Sequence, residues 1–312
     1  MKSAIPSVNL TQFTTGETNE RLRFIESVGT ALSEIGFVAL SGHFLSDELI
    51  TKLYGSVQEF FDLPLSVKLN YEIEGLAGQR GYTSFGKETA KGHSHADLKE
   101  FWHFGQYVDP NAVYPANIDV VELPEFNRLG KLSFEALERT GLELLRAIAL
   151  YLDLPVDYFD PWVIGGNSIL RPIHYPPVSP EHRKSIRAAA HGDINLITLL
   201  MGAQGRGLQV QRLDGEFVDA IAAPDELMIN VGDMLSRLTN NRLKSTIHRV
   251  INPNEEIVNA SRYSIPFFMH PKRDMPLNCL ESCIDSSHPK QFEDSTAGEY
   301  LDERLRELGL LK

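Results

Sequence analysis

The segment between Asp193 and His248 constrains the fold more than any other part of the chain. These two residues are 55 positions apart, and short apolar stretches between them, LITLLM, GLQVQ and DELMINVGDML, alternate with Gly, Pro and Asp turns. Apolar stretches of this length between turn residues predict short β-strands joined by hairpins. Several hairpins can close into a double sheet, which would bring His248 back beside Asp193.

Potential metal ligands stand at both ends of this segment. If HGDINLITLL is a strand, its period of two puts His191 and Asp193 on one face, and the same parity pairs Arg262 with Ser264. Two histidines and one carboxylate form a facial triad, which leaves about three positions of an octahedral metal open. Such a set is typical of non-haem iron(II) sites, so His191, Asp193 and His248 are the predicted ligands.

The front of the chain has helical periodicity, and the rest is rich in strand-like segments. Apolar residues recur at helical spacing over 24–35, 49–61 and 134–152, with Ser46 as a predicted cap of the second helix. Short strands follow from Ser168. Thr296 and Glu299 have capping-box spacing, which predicts a closing helix.

Charge and cysteine content narrow the class of protein. The 312 residues carry a formal net charge of −12, which disfavours a nucleic-acid or anionic-membrane surface as the main partner. No signal-like opening is present, and no apolar run approaches the ~18 residues of a membrane span, so a soluble, cytoplasmic protein is expected. Cys279 and Cys283 are expected to be reduced thiols.

Other polar residues have alternative interpretations. His93, His95 and Asp97 also offer ligand types at tight spacing, but no flanking strand pattern accompanies them, and a loop with exposed imidazoles is favoured. Asn230 and Asp233 are expected to serve turn and backbone hydrogen bonds.

Several segments, in order and spacing, resemble the iron(II) and 2-oxoglutarate-dependent dioxygenases of the isopenicillin N synthase-like group. They span nearly the whole chain and are IPSVNL, GFVALSGH, EFFDLPLSVKL, DLKEFWHFG, HYPP, HGDINLITLL, GLQVQ, the stretch from Pro224 to Val250, and RYSIPFFMHP. Agreement in order and spacing is far more specific than any single motif.

The resemblance implies a mainly β fold with flanking helices, whose core is a double-stranded β-helix, a distorted jelly roll, with the metal in its open mouth. A helical and strand-containing N-terminal subdomain, 1–165, would brace a catalytic core at 166–285. Residues 286–312 would form the C-terminal helix.

The resemblance also assigns cosubstrates and their contacts. Iron(II), 2-oxoglutarate and O2 are implied, with ascorbate as an expected reductant. The far carboxylate of 2-oxoglutarate would meet Arg262 and Ser264, since an arginine fork pairs a carboxylate through two charge-assisted bonds. Tyr175 corresponds to a position that contacts the cosubstrate near the metal, although a core tyrosine is the alternative.

Candidates for contact with the prime substrate come from two regions. Alternation along ILRPIHY places Arg171 with Ile173 and Tyr175, so Arg171 could meet a substrate anion, although pairing with a structural carboxylate is the alternative. By resemblance, the pocket wall would also include aromatic residues for which ordinary packing is the alternative: Tyr82, Phe85, Phe101 and Trp102.

The resemblance therefore implies a 2-oxoglutarate-dependent oxygenase that hydroxylates a small molecule and releases succinate and carbon dioxide. Two other functions remain open. The first is an iron-dependent oxidase of the same family without a keto-acid cosubstrate, because members of that kind also retain the arginine and serine. The second is a non-catalytic metal-binding barrel. Oxygen uptake with and without 2-oxoglutarate separates the first alternative, and succinate release tests the second.

Overall fold

The protein is described from a computed structural model, which covers residues 5–76, 79–87, 99–107, 114–177, 188–201, 207–212, 214–251 and 261–307. The strands are β1 Ser7–Asn9, β2 Phe37–Ser41, β3 Gly81–Thr83, β4 Glu100–Gly105, β5 Ile169–Leu170, β6 Ile173–Tyr175, β7 Ala188–His191, β8 Ile197–Leu200, β9 Leu208–Gln211, β10 Phe217–Asp219, β11 Leu227–Val231, β12 His248–Val250, β13 Arg262–Ser264 and β14 Pro266–Met269. The α-helices are α1 Thr11–Thr14, α2 Thr18–Glu34, α3 Asp47–Phe61, α4 Leu65–Lys68, α5 Pro124–Tyr151, α6 Asp160–Val163, α7 Asp233–Leu238 and α8 Ala297–Glu307, and short 3-10 helices lie at Leu69–Tyr71 and Glu281–Cys283.

Two β-sheets form the body of the protein. In the major sheet the strand order is β1-β2-β11-β8-β14-β5-β4-β6-β13, with β3 paired to β4, and in the minor sheet it is β10-β9-β12-β7. Phe37, Ala39 and Met228 of the major sheet pack with Val210 of the minor sheet in one apolar cluster. The two sheets therefore face each other, as the predicted double-stranded β-helix requires.

Helices α2, α3 and α5 cover the major sheet. The long helix α5 packs against α2 and α3 and against strands β4, β5, β8 and β14. One large apolar cluster contains residues of these helices and of the major sheet. Among the described residues, no helix has both the length and the apolar character needed to cross a membrane.

The predicted helices are confirmed, and their ends follow local chemistry. Ser46 accepts a hydrogen bond from the Leu49 amide at the start of α3. Gly36, with φ of 79°, follows α2 in the left-handed region that glycine tolerates. The Thr296 and Glu299 capping box is present, since the Thr296 amide donates to Glu299 and the Glu299 amide donates to Thr296 Oγ1. Helix α5 begins earlier than its periodicity predicts, at Pro124, because proline suits the first helical turn.

HGDINLITLL does not form one strand, so the condition under which His191 and Asp193 would share a strand face is not met. His191 ends β7 of the minor sheet, and β8 of the major sheet begins only at Ile197. The residues between them cross from one sheet to the other, and the Asp233 amide donates to the Asp193 carbonyl in this crossing. The Asp193 carboxylate therefore reaches the histidines from the crossover, and strand parity does not explain its position.

Candidate active site

Strand pairing brings together three side chains that could bind a metal. His191 of β7 lies directly opposite His248 of β12, and their ring centroids are 4.5 Å apart. The Nε2 atom of each histidine is 3.9 Å from Asp193 Oδ1, and the three ligand atoms all lie within 4.8 Å of one another. Across the described part of the chain, no other group of histidine, cysteine or acidic side chains meets this criterion.

The surroundings of the three side chains leave one side of this group open. Asp193 and His248 are buried, whereas the His191 side chain is 46% exposed. Two neutral imidazoles and one carboxylate are the donor set that suits iron(II) while leaving coordination positions vacant. The donor chemistry therefore fits the metal implied by the sequence.

The two carboxylate oxygens of Asp193 have different environments. Oδ2 accepts hydrogen bonds from Thr198 Oγ1 at 2.6 Å and from Asn230 Nδ2 at 2.7 Å, whereas Oδ1 faces the two histidines. Burial raises the pKa of Asp193, but the electrostatic influence of the neighbouring His248 and His191 and these two hydrogen bonds outweigh it, so the pKa lies below its usual range. The carboxylate is thus ionised and oriented before a metal binds.

Thr198 and Asn230 were not predicted as part of the site. The expectation that Asn230 serves a turn is wrong, because Asn230 lies within β11 and pairs in register with Thr198 of β8. Paired residues of an antiparallel sheet share a face, so both side chains reach the same carboxylate. The available signal was a polar residue inside each of two otherwise apolar buried strands, MINV and ITLL.

Arg262 forms a second polar centre on strand β13. Only 5% of the residue is exposed, and the guanidinium atoms Nε and Nη1 have no hydrogen-bond partner among the described residues. Register places Arg262 opposite Tyr175 of β6, with the guanidinium carbon 5.5 Å from the Tyr175 ring centroid, and Ser264 opposite Ile173. Because buried donors without partners are costly, this arrangement fits a bound carboxylate.

Phe101 extends the apolar surface around Tyr175 as far as Arg171. Phe101 of β4 pairs with Ile173 of β6, and together with Tyr175 they form a small apolar cluster. The Arg171 guanidinium lies 4.6 Å from the Phe101 ring centroid and 5.1 Å from that of Phe268.

Phe268 connects this region to the predicted metal ligands. Phe268 of β14 pairs with Thr198 of β8, which binds Asp193. Strand β14 therefore separates Arg171 from β8, the strand whose Thr198 supports the ligand carboxylate. The structure thus brings Arg171 and Phe101 into one region with the triad.

Three aromatic candidates lie elsewhere. Tyr82 and Trp102 are in the main hydrophobic core, where Tyr82 donates to Glu100 and Trp102 packs edge-on against Phe60. Trp102 and Phe101 are adjacent in β4 and therefore point to opposite faces, which explains why only Phe101 reaches Arg171. Phe85 is 47% exposed and is absent from all three apolar clusters of the described residues. The packing alternative therefore holds for Tyr82 and Trp102.

Two further histidines lie near Arg171 and were not predicted. His103 of β4 accepts a hydrogen bond from Arg171 Nε. His270 follows β14, and burial lowers its pKa to about 4, with Asp193 raising it and Arg171 lowering it further. Only the three-dimensional arrangement shows that these histidines share a neighbourhood.

His93, His95 and Asp97 lie outside the described residues. Cys279 and Cys283 are buried free thiols, as expected.

Comparisons with known proteins point to one family. Residues 166–271 match the model of the 2OG-Fe(II) oxygenase superfamily, and residues 5–121 match a model described as non-haem dioxygenase in morphine synthesis N-terminal. A proline hydroxylase, buaE, of Petromyces alliaceus is 32% identical over 96% of this chain and 98% of its own length.

Similar solved structures point to the same family. A putative 2OG-Fe(II) oxygenase family protein from Caulobacter crescentus is 41% identical, covers 98% of this chain and 99% of its own, and has a TM-score of 0.87. A full-length Neurospora crassa protein was solved in complex with alpha-KG and thymine. It is 29% identical, covers 97% of this chain and 96% of its own, and has a TM-score of 0.85.

Proposed function

Because this chain belongs to the 2OG-Fe(II) oxygenase superfamily, we propose that it hydroxylates a small organic molecule while 2-oxoglutarate is converted to succinate and carbon dioxide. The observation that carries the proposal is the presence of two complementary centres in the same two-sheet body. One is the cluster of His191, Asp193 and His248, and the other is the buried Arg262 guanidinium with unpaired donors.

Each centre has a distinct task in this proposal. His191, Asp193 and His248 hold iron(II), with Asp193 oriented by Thr198 and Asn230. Bound iron(II), with 2-oxoglutarate and O2 as cosubstrates, supplies the oxidising power for attack on a C–H bond.

The cosubstrate is held by residues of β13 and β6. Arg262 pairs with the far carboxylate of 2-oxoglutarate, Ser264 adds a donor, and Tyr175 forms the wall beneath them. These residues and the triad all lie within 166–285, which supports that range as the catalytic unit, braced by 1–165 and closed by 286–312.

Arg171 and Phe101 contact the prime substrate in this proposal. The Arg171 guanidinium lies between two aromatic rings, one of which is paired in register with Thr198. Phe101 provides an apolar wall beside the Arg171 guanidinium. The thymine in the Neurospora crassa complex and the name of the proline hydroxylase support small molecules as the substrate class.

A succinate-release assay tests the proposed function. Iron(II)-loaded protein is incubated in air with 2-oxoglutarate and panels of amino acids, phenols, terpenoid acids and nucleobases. We expect at least one panel to stimulate succinate release, with a hydroxylated product and no release by the His191→Ala control. Oxygen uptake that is independent of 2-oxoglutarate would favour the keto-acid-independent oxidase. Iron binding without oxygen uptake in any panel would favour the non-catalytic barrel.

A further inference from the structure

Asp233, the first residue of α7, contacts the two chain segments that carry Asp193 and His248. Its amide donates a hydrogen bond to the Asp193 carbonyl at 2.7 Å. Its carboxylate oxygen Oδ1 accepts a hydrogen bond from Ser245 Oγ at 2.6 Å, and Ser245 lies three residues before His248. One residue therefore connects the crossover between the sheets with the segment that leads into β12.

Gly192 makes this connection close-packed. A Cβ atom at Gly192 would lie 3.2 Å from Asp233 Oδ1 and 3.2 Å from Ser245 Oγ, which is closer than most Cβ contacts. The backbone between His191 and Asp193 therefore lies directly against the hydrogen bond from Ser245 to Asp233. A displacement of the Asp233 carboxylate would change the position of the residues on either side of Gly192.

The closing helix α8 supplies the partner of the other carboxylate oxygen. The Tyr300 hydroxyl donates a hydrogen bond to Asp233 Oδ2 at 3.0 Å, and only 7% of Tyr300 is exposed. Burial raises the pKa of Tyr300, and the nearby Asp233 carboxylate raises it further, so the hydroxyl stays protonated and is the donor. Both oxygens of the Asp233 carboxylate are thus held by side chains from outside α7.

Tyr300 itself is held by the start of α8 and by α7. The Gly298 amide donates to the Arg273 carbonyl at 2.7 Å, which fixes the first turn of α8 against the segment that follows β14. The guanidinium carbon of Arg237, on α7, lies 4.7 Å from the Tyr300 ring centroid, and a cation over an aromatic ring is attracted to it. The Tyr300 hydroxyl therefore has a defined position and can restrain the carboxylate that it contacts.

We propose that Tyr300 is a positioning residue of the metal site and acts through the Asp233 carboxylate. Asp233, through its amide and Oδ1, keeps Asp193 in place relative to His248. This inference rests on the proposed function, because it assumes that these ligands bind iron(II). Ligands that are already held in place bind a metal more tightly, since less conformational freedom is lost on binding. Helix α8 thus contributes to metal binding without supplying a ligand.

Tyr300→Phe tests the proposal, because it removes one hydroxyl and keeps the packing of the ring. Loss of the hydrogen bond should raise the iron(II) dissociation constant about 3–10-fold in anaerobic titration. Ser245→Ala removes the hydrogen bond to Oδ1 and should have an effect of similar size. Tyr71→Phe is the matched control and should keep the parental constant, since Tyr71 is also 7% exposed and donates to a carboxylate, that of Glu122.

A double-mutant cycle shows whether Tyr300 acts through Asp233. In an Asp233→Ala background, Tyr300→Phe should cause no further loss of iron(II) affinity. Additive effects of the two changes would overturn the proposal, and so would parental affinity in Tyr300→Phe alone. A parent protein that binds no iron(II) would instead overturn the proposed function, and this inference with it.

Cobalt(II) gives a readout of site geometry that needs no turnover. The visible absorption of protein-bound cobalt(II) depends on the arrangement of its ligands. We expect Tyr300→Phe to shift these bands, whereas Tyr71→Phe should keep the parental spectrum. Weaker iron(II) binding in Tyr300→Phe with a parental cobalt(II) spectrum would mean that the hydroxyl does not position the ligands, and it would overturn the proposal.

Discussion

At the scale of single residues, the main feature of the site is that the two carboxylate oxygens of Asp193 have different contacts. Oδ2 is fully engaged by Thr198 and Asn230, so Oδ1 is directed at the two histidines. Groups that orient a ligand in this way commonly change metal affinity when they are replaced. Asp193 is therefore a poor choice for alanine replacement, because the change would leave two buried donors unpaired.

Thr198→Val tests this orientation without changing the ligands. Valine keeps the shape of threonine but cannot donate to Asp193, so we expect iron(II) affinity to fall about 10–100-fold. Thr140→Val is the control, since Thr140 is equally buried but donates to the Ala136 carbonyl within α5. Anaerobic iron titration measures both, and equal affinity in the two variants would argue against the role of Thr198.

Arg262 variants test the cosubstrate anchor. Losing a buried charge pair costs about 2–5 kcal/mol, so Arg262→Ala should weaken 2-oxoglutarate binding at least ~30-fold. Arg262→Lys should recover only part, because one ammonium replaces a planar fork. Ser264→Ala should be mildest, at about 0.5–3 kcal/mol. Anaerobic binding measures the series, and three variants with parental affinity would refute the assignment.

The sequence predicted the candidate metal ligands and the candidate carboxylate-binding arginine, because their residue types themselves indicate a chemistry. It did not predict the residues whose contacts depend on how the strands pair. His191, His248 and Arg262 are rare residue types at informative spacing, and the family resemblance supplied their proposed roles. The polar residue inside MINV is only a weak signal for Asn230, and His103 has none, because the partners of both residues come from other strands. Which polar residues face one another depends on strand pairing, which a single sequence does not specify.

At the scale of elements, a buried polar network holds β4 and β6 together behind the Arg262 face. Glu100 of β4 accepts from Lys68 Nζ at 2.9 Å, from His174 Nδ1 at 2.7 Å and from the Tyr82 hydroxyl. Burial raises the pKa of Glu100, but the hydrogen bonds from His174, Tyr82 and Lys68 outweigh it and keep it ionised. His174 and Tyr263 pair across β6 and β13, so the network supports the strands that carry Tyr175 and Arg262.

Lys68→Met tests how much this network contributes to the free energy of unfolding. Removing one partner leaves a buried carboxylate incompletely paired, which should lower the free energy of unfolding by about 3–5 kcal/mol. Lys52→Met removes an exposed ion pair with Glu48 and should leave the free energy of unfolding nearly unchanged. Denaturant unfolding compares the two, and equal losses would show that the buried network contributes little.

The positions of the helices were predicted from the sequence more accurately than those of the strands. Apolar periodicity and caps such as Ser46 are local signals, and α2, α3 and α8 appear where these signals place them. The break between β7 and β8 has no local signal in the sequence. It arises because His191 belongs to one sheet and Ile197 to the other, so one apolar run is divided between two layers.

At the scale of the whole molecule, two facing sheets and a helical layer enclose groups that water would otherwise solvate. His270 is one of these, since burial lowers its pKa to about 4. In the unfolded chain the ring has a pKa near 6.5, so the unfolded state takes up a proton first as the pH falls. The contribution of His270 to stability is therefore complete above about pH 6.5 and is lost on acidification toward about pH 4.

This linkage predicts the pH dependence of the metal-free protein. Between about pH 6.5 and 4, His270 should account for a loss of up to roughly 3 kcal/mol in the free energy of unfolding. His270→Asn should flatten this part of the profile, whereas the exposed His288→Asn should not. Denaturant unfolding in the presence of a chelator measures the profile. An unchanged slope in His270→Asn would show that the ring is not enclosed.

Iron stoichiometry is the sharpest test of the proposed metal site, because three side chains from two strands and a crossover must bind one ion together. Anaerobic dialysis against iron(II) is followed by metal analysis of the parent protein, His191→Ala, His248→Ala and the His288→Ala control. We expect one iron per chain in the parent and the control. Neither triad variant should retain iron, and both should remain folded. One tightly bound iron in His248→Ala would contradict the account.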